Sequence, residues 1–294
     1  MTAERATLKT MTTKHLNDAV ELSRHVGWPH RREDWELMQS LSQGVVVQEE
    51  GRVVGTILMT PYGDDAATVN MVIVDAALRG RGLGRKLMEE ALAKAGERTC
   101  YLVATQEGLP LYEKLGFVAT GKIVQHQGLV PSVDAPAHVS WGEDGDHERL
   151  VALDRTAFGH DRSALMRLLR ERAKFAVVRD QGDVQAFAAI RRFGRGLVIG
   201  PVVARKLHEA RCLIDFLLAD SPGEFVRIDT DESTDLGEWL TRRGLACVGG
   251  GITMRRTAGD CASLFGALAA GVGAAAAGVD EAAALTVSSI VATT

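Results

Sequence analysis

The sequence lacks the features that mark disulfide-rich, nucleic-acid-binding and membrane proteins. Its 294 residues include only four cysteines, which form no Cys-x-x-Cys pair, so we expect free thiols in a reducing, cytoplasmic compartment and no metal site. A formal net charge of −4 gives no basic surface for a nucleic-acid partner. Outside the C-terminal tail, no run approaches the roughly 20 apolar residues of a membrane span. The charged first ten residues do not form a secretory signal, and we expect no membrane partner.

Alternating strands and helices are what the hydrophobic pattern predicts in the first half. A hydrophobic fraction of 46% is enough for substantial cores, and the chain is longer than one typical domain. Pro29 ends the first helix because it disfavours helical geometry in the residue before it. We predict strands at 6–11, 45–49, 53–60, 67–75, 99–104 and 117–124, and helices at 14–26, 33–41, 82–95 and 109–115.

The pattern of elements breaks at residues 126–137 and then begins again. Two prolines and a glycine in this unpatterned run indicate a linker. After a shift of 126 residues, Leu87 and Met88 fall on Leu213 and Ile214, which indicates a duplicated domain. In the second half we predict helices at 146–157, 161–172, 206–219 and 233–242, and strands at 174–179, 184–191, 197–203, 224–229 and 245–255.

The sequence thus predicts an α/β protein with mixed α+β sheets and two tandem domains. We place the domains at 1–125 and 138–256, on either side of the linker. The remaining residues, 257–294, are dominated by alanine, glycine, valine and serine, and we predict a mobile tail without chemistry.

A glycine-rich turn, Arg79-Gly80-Arg81-Gly82-Leu83-Gly84, carries the strongest chemical signal. It follows an apolar strand and begins an amphipathic helix. Glycines let backbone N–H groups approach an anion closely, and the helix N-terminus adds partial positive charge. Four cationic side chains surround the turn, at Arg79, Arg81, Arg85 and Lys86. This combination predicts a site for a pyrophosphate.

Two other nucleotide-binding motifs do not fit the turn. Its glycines give Gly-x-Gly-x-Gly rather than Gly-x-Gly-x-x-Gly, and no Gly-Lys-Ser/Thr follows. The turn also comes after the fourth predicted strand, whereas a dinucleotide-binding βαβ unit begins with its first strand.

The residues around this turn resemble the GCN5-related N-acetyltransferase (GNAT) family. That family has Arg/Gln-x-x-Gly-x-Gly/Ala after its fourth strand, which matches Arg79 to Gly84. It also has a tyrosine four residues before Gly-Phe, which matches Tyr112 before Gly116-Phe117. The resemblance covers about residues 5–125. It implies a GNAT fold, acetyl-CoA as co-substrate, and a degenerate GNAT fold in the second half.

The resemblance also implies roles for matching residues. Backbone groups of the fourth strand pair with the pantetheine arm as an added strand would, and the turn holds the pyrophosphate. Tyr112 is the expected general acid, which gives its proton to the departing thiolate. Thr105 stands where many relatives have asparagine, which puts that cofactor contact in doubt. The implied cofactor-binding residues are Val72, Val74, Arg79, Gly80, Arg81, Gly82, Leu83, Gly84, Arg85 and Thr105.

The general base and the acceptor site are less defined by the sequence. The fourth strand contains no acid, and its polar residue is Asn70. Candidate bases after the first helix are His30, Glu33 and Asp34, although a solvated surface position is the more usual place for each of these residue types. Trp28 and Trp35 could wall an acceptor pocket. In the second half, Asp229 or Asp231 could face the cleft and attract an amine, or the acidic run 229–235 could instead cap a helix and form a solvated turn.

The second half has lost the residues that carry the chemistry. With the 126-residue shift, the three glycines become Lys206, His208 and Ala210. Leu240 stands at the position of Tyr112, counted back four residues from Gly244 as Tyr112 is from Gly116. We therefore expect this half to cover the acceptor side rather than to bind acetyl-CoA.

The leading prediction is an N-acetyltransferase that acts on a primary amine, a small molecule or amino acid, by direct attack in a ternary complex. A protein lysine or N-terminal acetyltransferase and a non-catalytic acyl-CoA sensor remain alternatives. The sequence leaves the oligomeric state open.

Overall fold

The computed structural model describes residues 6–258 and the short strand Leu285–Val287. The strands are β1 Thr7–Thr10, β2 Gln43–Glu49, β3 Arg52–Tyr62, β4 Ala66–Val74, β5 Thr99–Ala104, β6 Val118–Leu129, β7 Val139–Trp141, β8 Lys174–Asp180, β9 Asp183–Phe193, β10 Gly196–Ala204, β11 Phe225–Asp231, β12 Ala246–Arg256 and β13 Leu285–Val287. The α-helices are α1 Leu16–His25, α2 Arg32–Ser40, α3 Leu83–Ala95, α4 Leu109–Lys114, α5 His147–Phe158, α6 Ser163–Arg172, α7 Leu207–Ala219 and α8 Gly237–Arg242. The predicted element types are confirmed, with ends that differ by a few residues; β7 and β13 had no counterpart in the sequence pattern.

All the described strands belong to one mixed sheet, in the order β1-β2-β3-β4-β5-β12-β6-β11-β10-β9-β8-β7, with β13 beside β10. In the first half, α3 packs on one face of the sheet and α1 and α2 pack on the other. The buried side of α3 includes Leu87 and Met88, and that of α7 includes Leu213 and Ile214. These are the residues that the repeat superimposes, so the duplication preserves the core-facing side of this helix.

The two halves exchange strands instead of forming separate sheets. β12, from the end of the second half, lies between β5 and β6 of the first half. β6 in turn pairs along its whole second part with β11 of the second half. Because each half is completed by a strand of the other, we expect neither half to be stable without its partner.

The predicted linker starts four residues too early. β6 continues to Leu129, so residues 126–129 belong to the sheet rather than to a connection. Gly128, which suggested a flexible run, is a glycine for a different reason: a Cβ there would lie 2.3 Å from the carbonyl oxygen of Gly244. The prolines at 131 and 136 do lie in the irregular segment between β6 and β7.

The tail predicted at 257–294 lies outside the described residues except for 257–258 and β13. That strand runs antiparallel to Val202–Ala204 at the end of β10. The predicted mobility of the remaining tail is therefore not addressed by the structure.

A buried ionic cluster joins the two halves next to α2. Asp34 accepts hydrogen bonds at 2.9 Å from the backbone N–H of Arg31 and from the backbone N–H of Gly194, in the β9–β10 turn. The guanidinium of Arg191 lies 3.8 Å from the same carboxylate and is buried beside Phe193. Burial raises the pKa of Asp34, but the hydrogen bonds from Arg31 and Gly194 outweigh it and leave the pKa below its usual value. The cluster fixes the second half against the first.

Candidate active site

The sheet opens between two parallel strands of the first half. β4 and β5 pair only from Ala66 to Thr68, opposite Thr99 to Tyr101. Beyond Thr68 the two strands separate, and β4 has no strand partner on that side among the described residues. Its backbone N–H and C=O groups are therefore available to another extended chain.

A bulge in β4 turns its side chains at the opening. Met71 adopts a left-handed backbone with φ of 53°, and the hydroxyl of Thr56 donates to its carbonyl oxygen at 2.8 Å. The bulge changes the alternation along the strand. Val72 and Val74 consequently pack on the α3 side, whereas Met71 packs on the α1–α2 side.

A cleft of 680 Å³ fills this opening and reaches both faces of the sheet. On the α3 side its wall includes Val72, Val74 and Tyr112, and on the α1–α2 side it includes Trp28 and Asn70. The residues predicted from the sequence that line this cleft are Trp28, Asn70, Val72, Val74, Arg79, Gly84, Thr105 and Tyr112.

The glycine turn leads into α3 with its N–H groups free of side-chain caps. Gly80 and Gly82 have φ of 80° and 75°, a conformation that side chains disfavour. Gly82 is the N-cap of α3, and no side chain there accepts a hydrogen bond from the first turn. A Cβ on Gly84 would lie 3.4 Å from Leu111, so this glycine lets α3 and α4 come close. The turn can thus bind an anion through backbone N–H groups.

The cations of the turn are partly neutralised by acids. Arg81 forms a bidentate pair with Glu49 at 2.7 and 3.1 Å, which raises the pKa of its guanidinium. Arg79 faces the cleft, 3.7 Å from Glu107. Arg85 pairs with Glu89 at 2.8 Å, one turn along α3. The sequence marked four cationic side chains at this turn, and three of them, Arg79, Arg81 and Arg85, lie within ion-pair distance of a glutamate.

Tyr112 lies in the wall of the cleft with only 7% of its surface exposed. Its ring packs edge to face on Phe117, with the ring centroids 6.1 Å apart. Gly108 makes room for it, because a Cβ at that position would lie 2.8 Å from the Tyr112 ring. Burial raises the pKa of the phenol to about 12, so Tyr112 keeps its proton at neutral pH.

Two polar side chains, those of Thr105 and Asn70, line the cleft. The Thr105 hydroxyl accepts a hydrogen bond from the backbone N–H of Gly108 at 3.2 Å and so supports the start of α4. Asn70 donates through Nδ2 to Thr60 at 3.2 Å. Its Oδ1 atom is buried and has no hydrogen-bond partner within residues 6–258. An N–H donor in the cleft could satisfy this acceptor.

Several predicted acceptor or base residues do not line the cleft. His30 is buried behind Trp28, edge to face with Trp35 and Phe193. Asp34 is occupied by the contact between the halves. Asp229 is buried in a bidentate ion pair with Arg227 at 2.7 and 2.9 Å.

The prediction that Asp229 faces the cleft is corrected by this ion pair. Asp229 and Arg227 lie two residues apart on β11 and therefore share one side of the sheet, where each neutralises the other. Asp231 caps the short helical turn after β11 by accepting from the N–H of Ser233, which was the alternative interpretation of this run. Glu33 is exposed on α2.

The structure adds groups that no sequence motif marked. His25, at the end of α1, and Glu107, at the start of the β5–α4 connection, line the cleft and could accept a proton. A polar cavity of 550 Å³ adjoins the cleft, with Gln125, Gln127 and Arg195 in its wall. These groups come from β6 and from the second half, and only the strand exchange brings them near Thr105.

The second half lacks the corresponding opening. Its counterpart of the glycine turn has Lys206 as the N-cap of α7, with φ of −128°. Leu240, in the core, replaces Tyr112. β10 also separates from its parallel neighbour β11 after Ile199, but β13 pairs with β10 just beyond that point. A segment of the chain itself therefore occupies the edge that is open in the first half.

Among residues 6–258, no group of three or more His, Cys, Asp or Glu side chains is arranged to hold a metal ion. The helices in this part of the chain are all too short or too polar to span a bilayer.

Comparison with known proteins agrees with the fold. Residues 40–119 and 150–266 each match an acetyltransferase (GNAT) domain family. The chain is 30% identical to the uncharacterized N-acetyltransferase YitH of Bacillus subtilis over 243 residues, which is 79% of this chain and 84% of that protein. It is 27% identical to the holothin acyltransferase of a Pseudoalteromonas species, over 70% of this chain and 74% of the relative.

A solved structure has the same double architecture. The tandem GNAT protein from the clavulanic acid biosynthesis pathway superimposes with a TM-score of 0.61 and 17% identity, over 86% of this chain and 98% of its own. Three observations support the same assignment. Two domains of the chain match the family, one relative aligns over most of both chains, and the sheet is open between β4 and β5. The chain is a tandem-domain N-acetyltransferase and belongs to the GCN5-related N-acetyltransferase family.

Proposed function

We propose that the protein transfers an acetyl group from acetyl-CoA to the primary amine of a small molecule by direct attack in a ternary complex. The observation that carries the proposal is the cleft that passes through the sheet. It has the glycine turn and Tyr112 on one face, and Trp28 and Asn70 on the other. Two reactants can thus meet in the opening from opposite sides, which favours direct transfer.

The residues of the first half fit acetyl-CoA at two points. The uncapped N-terminus of α3 suits a pyrophosphate, and the free edge of β4 at Val72 and Val74 suits the amide groups of a pantetheine arm. When bound, acetyl-CoA supplies an activated thioester. The residues that would hold it are Val72, Val74, Arg79, Gly80, Arg81, Gly82, Leu83, Gly84, Arg85 and Thr105.

Tyr112 is the proposed general acid. With a pKa of about 12, its Oη carries a proton throughout the neutral range and can give it to the thiolate as the thiolate leaves. A covalent acetyl-enzyme is not favoured, because the cleft wall contains no cysteine. Cys100 is buried, and burial raises the pKa of its thiol, which makes it a poor nucleophile.

Asn70 is the proposed anchor for the acceptor. Asn70 lines the cleft, and its buried Oδ1 atom has no donor within residues 6–258. We propose that the N–H groups of an amine in the cleft donate to it. This requirement also favours an amine over an acceptor that lacks a hydrogen to donate.

The second half is proposed to shape the acceptor side without binding acetyl-CoA. Two observations support this. Lys206 stands where the first half has its glycine turn, and Leu240 stands where it has Tyr112. In addition, β13 pairs with the edge of β10 and so occupies it. We retain 1–125 as the catalytic unit and 138–256 as the covering unit. The exchanged strands make them one folding body, and a second domain over the acceptor side favours a small molecule over an extended peptide.

Replacement of Tyr112 by phenylalanine tests the proposal. We expect Tyr112→Phe to lower kcat for thiol release from acetyl-CoA about 10²- to 10⁴-fold, with the Kd of acetyl-CoA unchanged by calorimetry. Thr241→Val is the control, since it removes a hydroxyl from α8, the counterpart of α4. An unchanged kcat in Tyr112→Phe would remove the general acid from the mechanism, and an equal loss in both variants would attribute the effect to stability.

A further inference from the structure

A second, apolar cavity lies where the two halves meet, on the same face of the sheet as Asn70. It has a volume of 290 Å³, and its wall comes from β3, β4, β5, β6 and β12 and from the α5–α6 connection. Val103 lines both this cavity and the cleft. Four rings surround the space, those of Tyr62, Tyr101, Phe158 and His160. Below, this space is called the interface pocket.

The charged groups around the interface pocket are already paired. Arg162 forms a buried bidentate pair with Asp154 at 2.5 and 3.0 Å and stacks on the Phe158 ring at 3.2 Å. His160 lies 3.2 Å from the carboxylate of Asp65 and contacts the ring of Tyr101, with centroids 5.4 Å apart. The two basic side chains of its wall, Arg162 and His160, are thus engaged with carboxylates, so the pocket suits a neutral group.

The size and the rings of the interface pocket indicate one flat apolar group. Its volume is at the lower limit of the ~300–1,000 Å³ typical of sites for whole drug-sized ligands. Aromatic walls favour another ring through offset or edge-to-face contacts. Ile123 and Met254 complete the apolar wall.

The position on β5 sets the distance from the reacting amine. Tyr101 and Val103 are two residues apart and face the same side of the sheet, which corresponds to ~7 Å along the strand. An occupant with its ring beside Tyr101 and its nitrogen in the cleft needs a linker of about two or three carbons.

We propose that the acceptor is an arylalkyl amine, whose ring binds in the interface pocket formed by Tyr62, Tyr101 and Phe158 while its amine reaches Asn70 in the cleft. This inference rests on the proposed function and specifies the substrate class. The second half contributes Phe158 and β12 to the wall of the interface pocket. The second half therefore takes a direct part in substrate selection.

The test compares 2-phenylethylamine with ethylamine. For the wild-type chain, we expect a KM for 2-phenylethylamine about tenfold or more below that for ethylamine, because only the former buries a ring. Thr120→Trp fills the pocket from β6, where Thr120 is exposed and bonds only to Thr253. It should remove this advantage while leaving the KM for ethylamine and the Kd of acetyl-CoA within about twofold.

Two further variants protect the test against a folding defect. Ala119→Trp adds the same bulk at an exposed neighbour that lines none of the cavities described here, and should keep the preference. Tyr101→Leu retains an apolar side chain but removes one ring, and should raise the KM for 2-phenylethylamine about threefold or more. Loss of the preference in all three variants, or its persistence in Thr120→Trp, would overturn the assignment.

Calorimetric titration of 2-phenylethylamine into the CoA-saturated chain separates this inference from the proposed function. If 2-phenylethylamine binds and Thr120→Trp weakens this binding, the result supports the interface pocket even when no amine is acetylated. The absence of turnover would then refute only the proposed function. Turnover of ethylamine without any preference for 2-phenylethylamine would refute only the inference.

Discussion

Substitution of Gly82 by glutamate is the sharpest test of where the pyrophosphate binds. Gly82 begins α3 with φ of 75°, and a Cβ built there meets no atom within 4 Å. The glutamate side chain would therefore fit sterically in the free protein, at a backbone cost of about 1–2 kcal/mol for a left-handed side-chain-bearing residue. Its carboxylate would point into the space that the turn offers to an anion.

The expected loss of affinity follows from charge repulsion. Two unit charges ~4 Å apart repel by about 1 kcal/mol in bulk water and by about 4 kcal/mol at a protein surface. Every ~1.4 kcal/mol is tenfold in Kd, and the side chain also displaces the phosphate from the N–H groups. We expect Gly82→Glu to raise the Kd of acetyl-CoA about 100-fold or more, and less at high salt.

The structure provides matched controls for this measurement. Gly223, in the turn before β11, has φ of 76° and also has no atom within 4 Å of a built Cβ. Gly223→Glu shares the backbone strain and the added charge but lies away from the cleft, so the Kd should stay within about threefold. Gly82→Ala isolates the strain, and we expect less than a tenfold change.

Isothermal titration of acetyl-CoA at two salt concentrations, with thermal unfolding of each variant, measures these effects. If Gly82→Glu binds acetyl-CoA as tightly as the wild type does, the pyrophosphate does not bind at this turn. Equal losses in Gly82→Glu and Gly223→Glu would show that the effect is global destabilisation.

Two other predictions concern pH and the contact between the halves. Because burial raises the pKa of Tyr112 to about 12, the phenol stays protonated below that value. Between pH 7 and 10, we therefore expect no decrease in the kcat of the wild-type chain that is caused by deprotonation of Tyr112. A decrease that is present in the wild type and absent in Tyr112→Phe would refute the acid assignment. Asp34→Ala leaves Arg191 buried without its carboxylate and should reduce the free energy of unfolding by about 3–5 kcal/mol in calorimetry. The pKa of Asp34 is lowered, so the wild-type advantage over Asp34→Ala is present above about pH 4 and falls as the pH drops through the folded-state pKa. An unchanged unfolding temperature at pH 7 would show that this cluster does not stabilise the structure.

The sequence alone determined the order of elements, the duplication and the glycine-rich turn before α3. These are local properties: hydrophobic period distinguishes helix from strand, and glycines at alternate positions after an apolar strand need no knowledge of distant residues. Tyr112 was predicted through the family resemblance, by its spacing to Gly116 and Phe117, and its role stays a prediction.

Only the tertiary structure decided which residues face the cleft. The bulge at Met71 reverses the side-chain alternation of β4, and a one-residue change of this kind cannot be read from hydrophobicity when both faces are buried. Asp229 was misplaced for a related reason, since its charge looked available until β11 set Arg227 on the same side. The interface pocket depends on strands exchanged over more than one hundred residues. The covered edge of β10 depends on β13, which lies more than eighty residues later in the chain. Pairing between such distant segments is set by the whole sheet, and no local pattern in the sequence encodes it.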